Sequence, residues 1–165
     1  MFRALLIVFA VAYATGVYAD EAQTAPVSES AMHVKMHKNP GCGCCDLWAE
    51  HLVDAGFTVD IIPDAQILEF KKSRGIPQPL HSCHTAIIGD YFLEGHVPAR
   101  DIMSLLKAKP QDVTGIAVPG MPLGSPGMEH PRPQTFNTIA FLRDGSAYVF
   151  ARHEAGEDFS EKSAK

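Results

Sequence analysis

Lys38-Asn39-Pro40-Gly41-Cys42-Gly43-Cys44-Cys45 is the stretch on which the reading of this chain turns. Before it, residues 32–38 alternate. Met32, Val34 and Met36 fall on one face and His33, Lys35 and His37 on the other, as in a half-buried strand. Asn39-Pro40-Gly41 breaks that pattern. From Cys44 to Ala55, Trp48, Ala49, Leu52, Val53 and Ala55 recur at helical spacing, and Gly56 is a natural stop. Three of the four cysteines thus crowd the turn from a strand into a helix.

Working outward, Phe57–Ile62 reads as a second strand. A second helix runs from a cap at Asp64 through Arg74, with Ile67, Leu68 and Phe70 inward and Gly75 ending it. Thr85–Ile88 and Tyr91–Glu94 flank a two-residue turn, Gly89-Asp90, and form a hairpin. Pro98 suits the first turn of a third helix with Ile102, Leu105 and Leu106 inside. Two strands joined by a helix are parallel with a right-handed crossover, so the fold class is α/β, helices on a mixed sheet. Residues 115–133 are dense in Gly and Pro and carry Met121, Met128 and His130. Asn137–Arg143 and Ser146–Ala151 then flank Asp144-Gly145, a type I′ hairpin signal, and this C-terminal β-hairpin should join the sheet or lie beside it.

Residues 1–19 read as a cleaved signal peptide. Arg3 precedes an apolar run over residues 4–14, and Val17-Tyr18-Ala19 gives a small-x-small cleavage pattern. The run is shorter than the ~20 residues that span a bilayer, so export without a membrane anchor is expected. Residues 20–31 read as a flexible leader, 32–110 as the core and 111–153 as a Gly/Pro/Met loop and hairpin packed on it. From 154 to 165 a tail without structure is expected. The net charge of −5 and the lack of a basic cluster longer than Lys71-Lys72 exclude nucleic acid and anionic lipid as partners.

Cys42 and Cys45 form a C-x-x-C pair, the spacing of a redox dithiol or half a metal site. Cys44 and the distant Cys83 add thiols that a dithiol enzyme does not need. Adjacent Cys44 and Cys45 diverge on a helix, which suits a closed zinc site poorly. Cu(I) is soft, favours thiolates and accepts low coordination, and bridging thiolates can hold several ions. The helix N-terminus should lower the thiol pKa values, and Gly43 would let backbone approach a metal. Two structural disulfides remain the plain alternative for an exported domain. His33 and His37 can be metal ligands or ordinary exposed strand residues, and Trp48 is most simply core.

The element order and the placement of C-x-x-C resemble the thioredoxin fold, in which the loop entering the third strand runs beside the active-site turn. That resemblance implies that Cys83 faces the Cys42–Cys45 turn. Four segments then resemble the CopG-type family of exported copper-resistance proteins. They are Lys38–Cys45, Ser82-Cys83-His84-Thr85-Ala86, Glu94-Gly95-His96-Val97-Pro98-Ala99, and Ala117-Val118-Pro119-Gly120-Met121-Pro122 with Gly124-Ser125-Pro126-Gly127-Met128-Glu129. The resemblance covers roughly residues 34–129. It implies a thioredoxin-like core in the bacterial periplasm and a cysteine-bridged tetranuclear copper site on Cys42, Cys44, Cys45 and Cys83. His84, His96 and Met121 become auxiliary candidates, each with a plainer alternative: hydrogen bonding for the histidines, loop packing for Met121. Copper ions and other exported copper-handling proteins are the implied partners. The competing function is thiol–disulfide exchange, with Cys42 attacking and Cys45 resolving.

Overall fold

The computed structural model describes residues 32–160; the signal-peptide and leader readings for residues 1–31 lie outside them. In chain order the elements are β1 (His33–Lys38), α1 (Gly43–Asp54), β2 (Thr58–Pro63), α2 (Ile67–Ser73), β3 (His84–Ile88), β4 (Tyr91–Gly95), α3 (Ala99–Ala108), β5 (Val113–Val118), β6 (Phe136–Leu142) and β7 (Ala147–His153). The seven strands form one mixed sheet in the order β2-β1-β3-β4-β5-β6-β7. β1 pairs parallel with β2 across the α1 crossover, and β4 pairs parallel with β5 across α3. The other neighbours are antiparallel.

Alternation along the strands sends Val34, Met36, Ala86, Ile88 and Leu93 into one core with Trp48 and Leu52 of α1 and Ile102 and Leu105 of α3. Thr85 and Glu94, one step out of phase, meet Lys71 of α2. Trp48 is fully buried, and its indole N–H donates to Val97 O at 2.8 Å, fixing α1 against the entry to α3.

Several sequence expectations need correction. Asp64 does not cap α2; its Oδ1 accepts the Gln66 N–H at 2.8 Å, and the helix begins a turn later at Ile67. Leu68, expected inward, is 57% exposed, whereas Lys71 is fully buried. A seven-residue helix presents one narrow stripe, and the Ile67–Lys71 spacing of four takes it, turning Leu68 outward. The sequence reading gives residues 111–153 as a Gly/Pro/Met loop and hairpin, and β5 falls inside the loop part. Gly115 is there for close packing: a Cβ would run into the Phe92 carbonyl and stand 2.6 Å from Phe141 Cζ. The C-terminal hairpin joins the sheet through β5. Residues 154–160, expected to begin an unstructured tail, instead fold over α3. Phe159 lies under the Arg100 guanidinium at 4.7 Å and beside Phe136, and Arg100 pairs with Glu157 at 2.6 Å. Among the described residues no helix is long and apolar enough to cross a membrane.

Candidate metal centre

The cysteine turn is held from below by its own chain. Asn39 O accepts the Cys42 N–H at 3.0 Å, and Cys42 is the extended N-cap residue of α1. Lys38, buried at the end of β1, donates to Cys42 O at 2.9 Å and to Asp46 Oδ1 at 2.5 Å, tying strand end to first helical turn. Cys44 and Cys45 follow within that first turn. The sulfurs of Cys42, Cys44 and Cys45 all lie within 4.8 Å of one another. Cys42 and Cys45 are joined as a disulfide, and Cys44 Sγ stands 3.6 Å from Cys42 Sγ. Gly43 has open space where a Cβ would stand, so no protein neighbour requires glycine there.

Cys83 arrives from far along the chain, on the loop entering β3, and its carbonyl accepts the Asn39 N–H at 3.0 Å. It therefore sits beside the cysteine turn, with a free thiol like Cys44. Its S–H points to Met121 Sδ at 3.5 Å. Met121 itself is held at φ 48°, a left-handed conformation uncommon for a residue with a side chain. The loop that carries it folds onto α1 at Gly127, where φ is 77° and a Cβ would lie 2.6 Å from Trp48 N and 2.9 Å from Cys44 O. Only glycine allows that approach.

Behind the sulfurs, His84 is fully buried, stacked on Trp48 at 4.4 Å and edge-on to His96 at 5.4 Å. The His96 Nδ1–H donates to Pro126 O at 2.7 Å, because a carbonyl can only accept. Among the described residues, His96 Nε2 and both nitrogens of His84 make no hydrogen bond of good geometry. Burial pushes both imidazoles below the ordinary histidine pKa, His84 well below it with help from His96 and Lys71. They are neutral near pH 7 with lone pairs free. Unpartnered buried nitrogens call for a water or a metal ion, and this donor set of thiol, thioether and neutral imidazole fits a soft ion.

The expected lowering of thiol pKa does not hold at Cys44. Burial, then the charge of Cys83, push it up, and the backbone N–H groups of the helix start only partly offset them. A cleft of about 710 Å³ lies elsewhere on α1, among Glu50, His51, Asp54, Glu129 and Glu157, and none of the four cysteines lines it. His33 and His37 point away to separate carboxylates, Asp60 at 2.9 Å and Asp64 at 3.4 Å. Sequence reasoning misses Lys38, Lys71 and Glu94. A lysine four residues after Ile67 on the apolar stripe of a short helix is the available signal for Lys71.

Two solved structures of copper resistance protein copG, described as Form 1 and Form 2, match this chain with TM-scores of 0.70 each. They are 40% and 41% identical to it, covering 74% and 73% of this chain and 98% and 97% of theirs. The chain belongs to the CopG copper-resistance family. Residues 80–128 also match a family model described as "Protein of unknown function, DUF411", a span that includes Cys83, His84, His96 and Met121. No curated protein matches the chain.

Proposed function

We propose that this CopG-family protein confers copper resistance by binding several Cu(I) ions in one thiolate cluster. Cys42, Cys44, Cys45 and Cys83 are the ligands, with Met121, His84 and His96 as auxiliary donors or supports. The observation that carries this reading is the convergence of three sulfurs within 4.8 Å, with the Cys83 backbone bonded to the same turn. An external dithiol that gives two electrons and two protons and itself closes to a disulfide would convert Cys42–Cys45 to two thiols, freeing the full donor set. Thiol protons must leave as metal binds, so uptake strengthens as pH rises. Bound copper would supply one-electron Cu(I)/Cu(II) chemistry, and Cys42, Cys44, Cys45 and Cys83 would hold the ions for it. The thioredoxin-like core, removal of residues 1–19, residence in the bacterial periplasm and exchange of copper with other exported copper-handling proteins belong to the same proposal.

The experiment is an anaerobic Cu(I) titration of the reduced chain against a strong competing chelator, with Cys83→Ser beside it. Several ions bound tightly per chain, much weakened by Cys83→Ser, is the expected result. One ion or none, indifferent to Cys83, rejects the cluster. The disulfide between Cys42 and Cys45 favours the second reading, thiol–disulfide exchange. Insulin reduction that survives Cys83→Ser supports it.

A further inference from the structure

Beneath the Cys83 loop lies a charged network that neither stability nor the sulfur chemistry by itself accounts for. Lys71 and Glu94 are both fully buried and pair at 2.5 Å. All three ammonium protons are used: on Glu94 Oε1, on Thr85 Oγ1 at 2.7 Å and on His84 O at 2.8 Å. Glu94 Oε1 also accepts the Ser82 N–H at 2.5 Å, and Oε2 accepts the Thr85 hydroxyl at 2.6 Å. Ser82 Oγ donates in turn to His84 O at 2.9 Å. In Ser82-Cys83-His84-Thr85 the network grips every residue except Cys83. The Cys83 carbonyl is taken by Asn39 of the cysteine turn, and its sulfur is left facing Met121.

Desolvating two charges cancels much of their attraction, so a well-packed apolar pair would hold α2 on the sheet as well. An apolar pair cannot, however, fix the direction of an N–H, a carbonyl and a hydroxyl along one loop. We propose that Lys71 and Glu94 are positioning residues for metal uptake, clamping the loop so that the Cys83 backbone stays bonded to the cysteine turn and its sulfur keeps its place beside Met121. This rests on the thiolate-site reading above. The loop entering β3 carries a single sulfur, with no neighbouring cysteine to correct a drift, so its place must be set from outside the loop. Groups that orient a metal ligand through a second contact commonly change affinity by about 10- to 100-fold when removed.

The test is the double variant Lys71→Met/Glu94→Leu, which replaces both charges by apolar groups of similar size. Circular dichroism and thermal unfolding establish that it folds. Two readouts then follow on the reduced chain: the alkylation rate of Cys83 without metal, resolved from the other cysteines by mass spectrometry, and the competitive Cu(I) titration. The expected result is a severalfold change in Cys83 alkylation, with Cys42 and Cys45 unaltered, and Cu(I) affinity lowered by about 10- to 100-fold. A folded variant with both readouts unchanged overturns the proposal. Should the double variant fail to fold, Glu94→Gln keeps an acceptor for the Ser82 N–H and faces the same two readouts, where a change in both supports the clamp and no change in either overturns it. If the native chain takes up no Cu(I), the thiolate reading has failed, and the metal-free alkylation rate alone decides whether the clamp positions Cys83.

Discussion

Cys42, Cys44 and Cys45 occupy a single turn whose shape follows from nearby residues: the Asn39 carbonyl, the Lys38 ammonium and the start of α1. Cys83 and Met121 meet at 3.5 Å across 38 residues of sequence, with the Cys83 carbonyl bonded to Asn39 and the Met121 loop seated on α1 at Gly127. The first region is local and needs little besides its own turn. The second is long-range and depends on Lys71, Glu94 and the Gly127 approach to α1. A site split in this way draws three sulfurs from one turn and its fourth from a loop that the sheet brings alongside. Disturbing the long-range half should therefore cost stability and copper together, whereas the local half should retain its three-sulfur geometry.

The largest effect is expected from Gly127→Ala. The new Cβ would meet backbone atoms of Trp48 and Cys44, which cannot swing aside as a side-chain tip would, and the φ of 77° disfavours any Cβ. Together these cost about 3 kcal/mol, measured as a shift in urea midpoint. Loss of Met121 from the site should follow, read as weaker Cu(I) binding with Cys44 alkylation increased. A stability change below about 0.5 kcal/mol would show that the loop is not seated on α1.

Acidification comes next. His84, His96 and His51 all have folded pKa values below the ordinary 6.5, with burial the first cause in each. Below pH 6.5 the unfolded chain takes up protons that the native histidines refuse. Their contribution to stability is therefore complete above about 6.5 and is lost as pH falls toward the native values. Glu129 and Asp54 oppose this at His51, and the Pro126 carbonyl and Glu129 oppose it at His96, so His84, lowered furthest, dominates. The denaturation midpoint of the reduced, metal-free chain should be lower at pH 5.5 than at 7.5. A midpoint that stays level or rises would remove these buried imidazoles as the pH-sensitive part of the long-range half.

The same division between local and long-range explains what the sequence reveals. Strand alternation, helical spacing and turn dipeptides are short-range signals; they locate β1, α1, the β3–β4 hairpin and the β6–β7 hairpin to within a residue or two, and they place the start of α3 at Pro98. The cysteine turn is legible for the same reason, since the motif and its structure are one object. β5 is not, because Gly115 answers to Phe92 and Phe141 rather than to its neighbours in the chain. The burial of Lys71 is signalled only by its spacing of four from Ile67, and nothing near it in sequence announces that Glu94 will meet it in the interior. The position of Cys83 beside the turn is readable through family resemblance, not through spacing. The packing of residues 154–160 under Arg100 has no signal beyond one aromatic, Phe159, in a polar stretch.

Met121→Leu should produce the smallest structural effect and the sharpest functional one. Leucine keeps the volume and apolar character of methionine while removing the thioether, and such swaps commonly cost less than about 1.5 kcal/mol. The backbone strain at φ 48° is the same for both side chains, so it drops out of the comparison. If Met121 is there to pack the loop, Cu(I) affinity should match that of the native chain. If its sulfur is a donor, affinity should fall while the urea midpoint barely moves, because the loss is confined to one soft contact 3.5 Å from Cys83. Combining Met121→Leu with Cys83→Ser separates the two roles. Residues that act on one ion in concert lose less together than the sum of their separate losses, whereas a packing residue and a ligand add. Sub-additive losses would join Cys83 and Met121 into one long-range half-site; additive ones would leave Cys83 as its lone ligand.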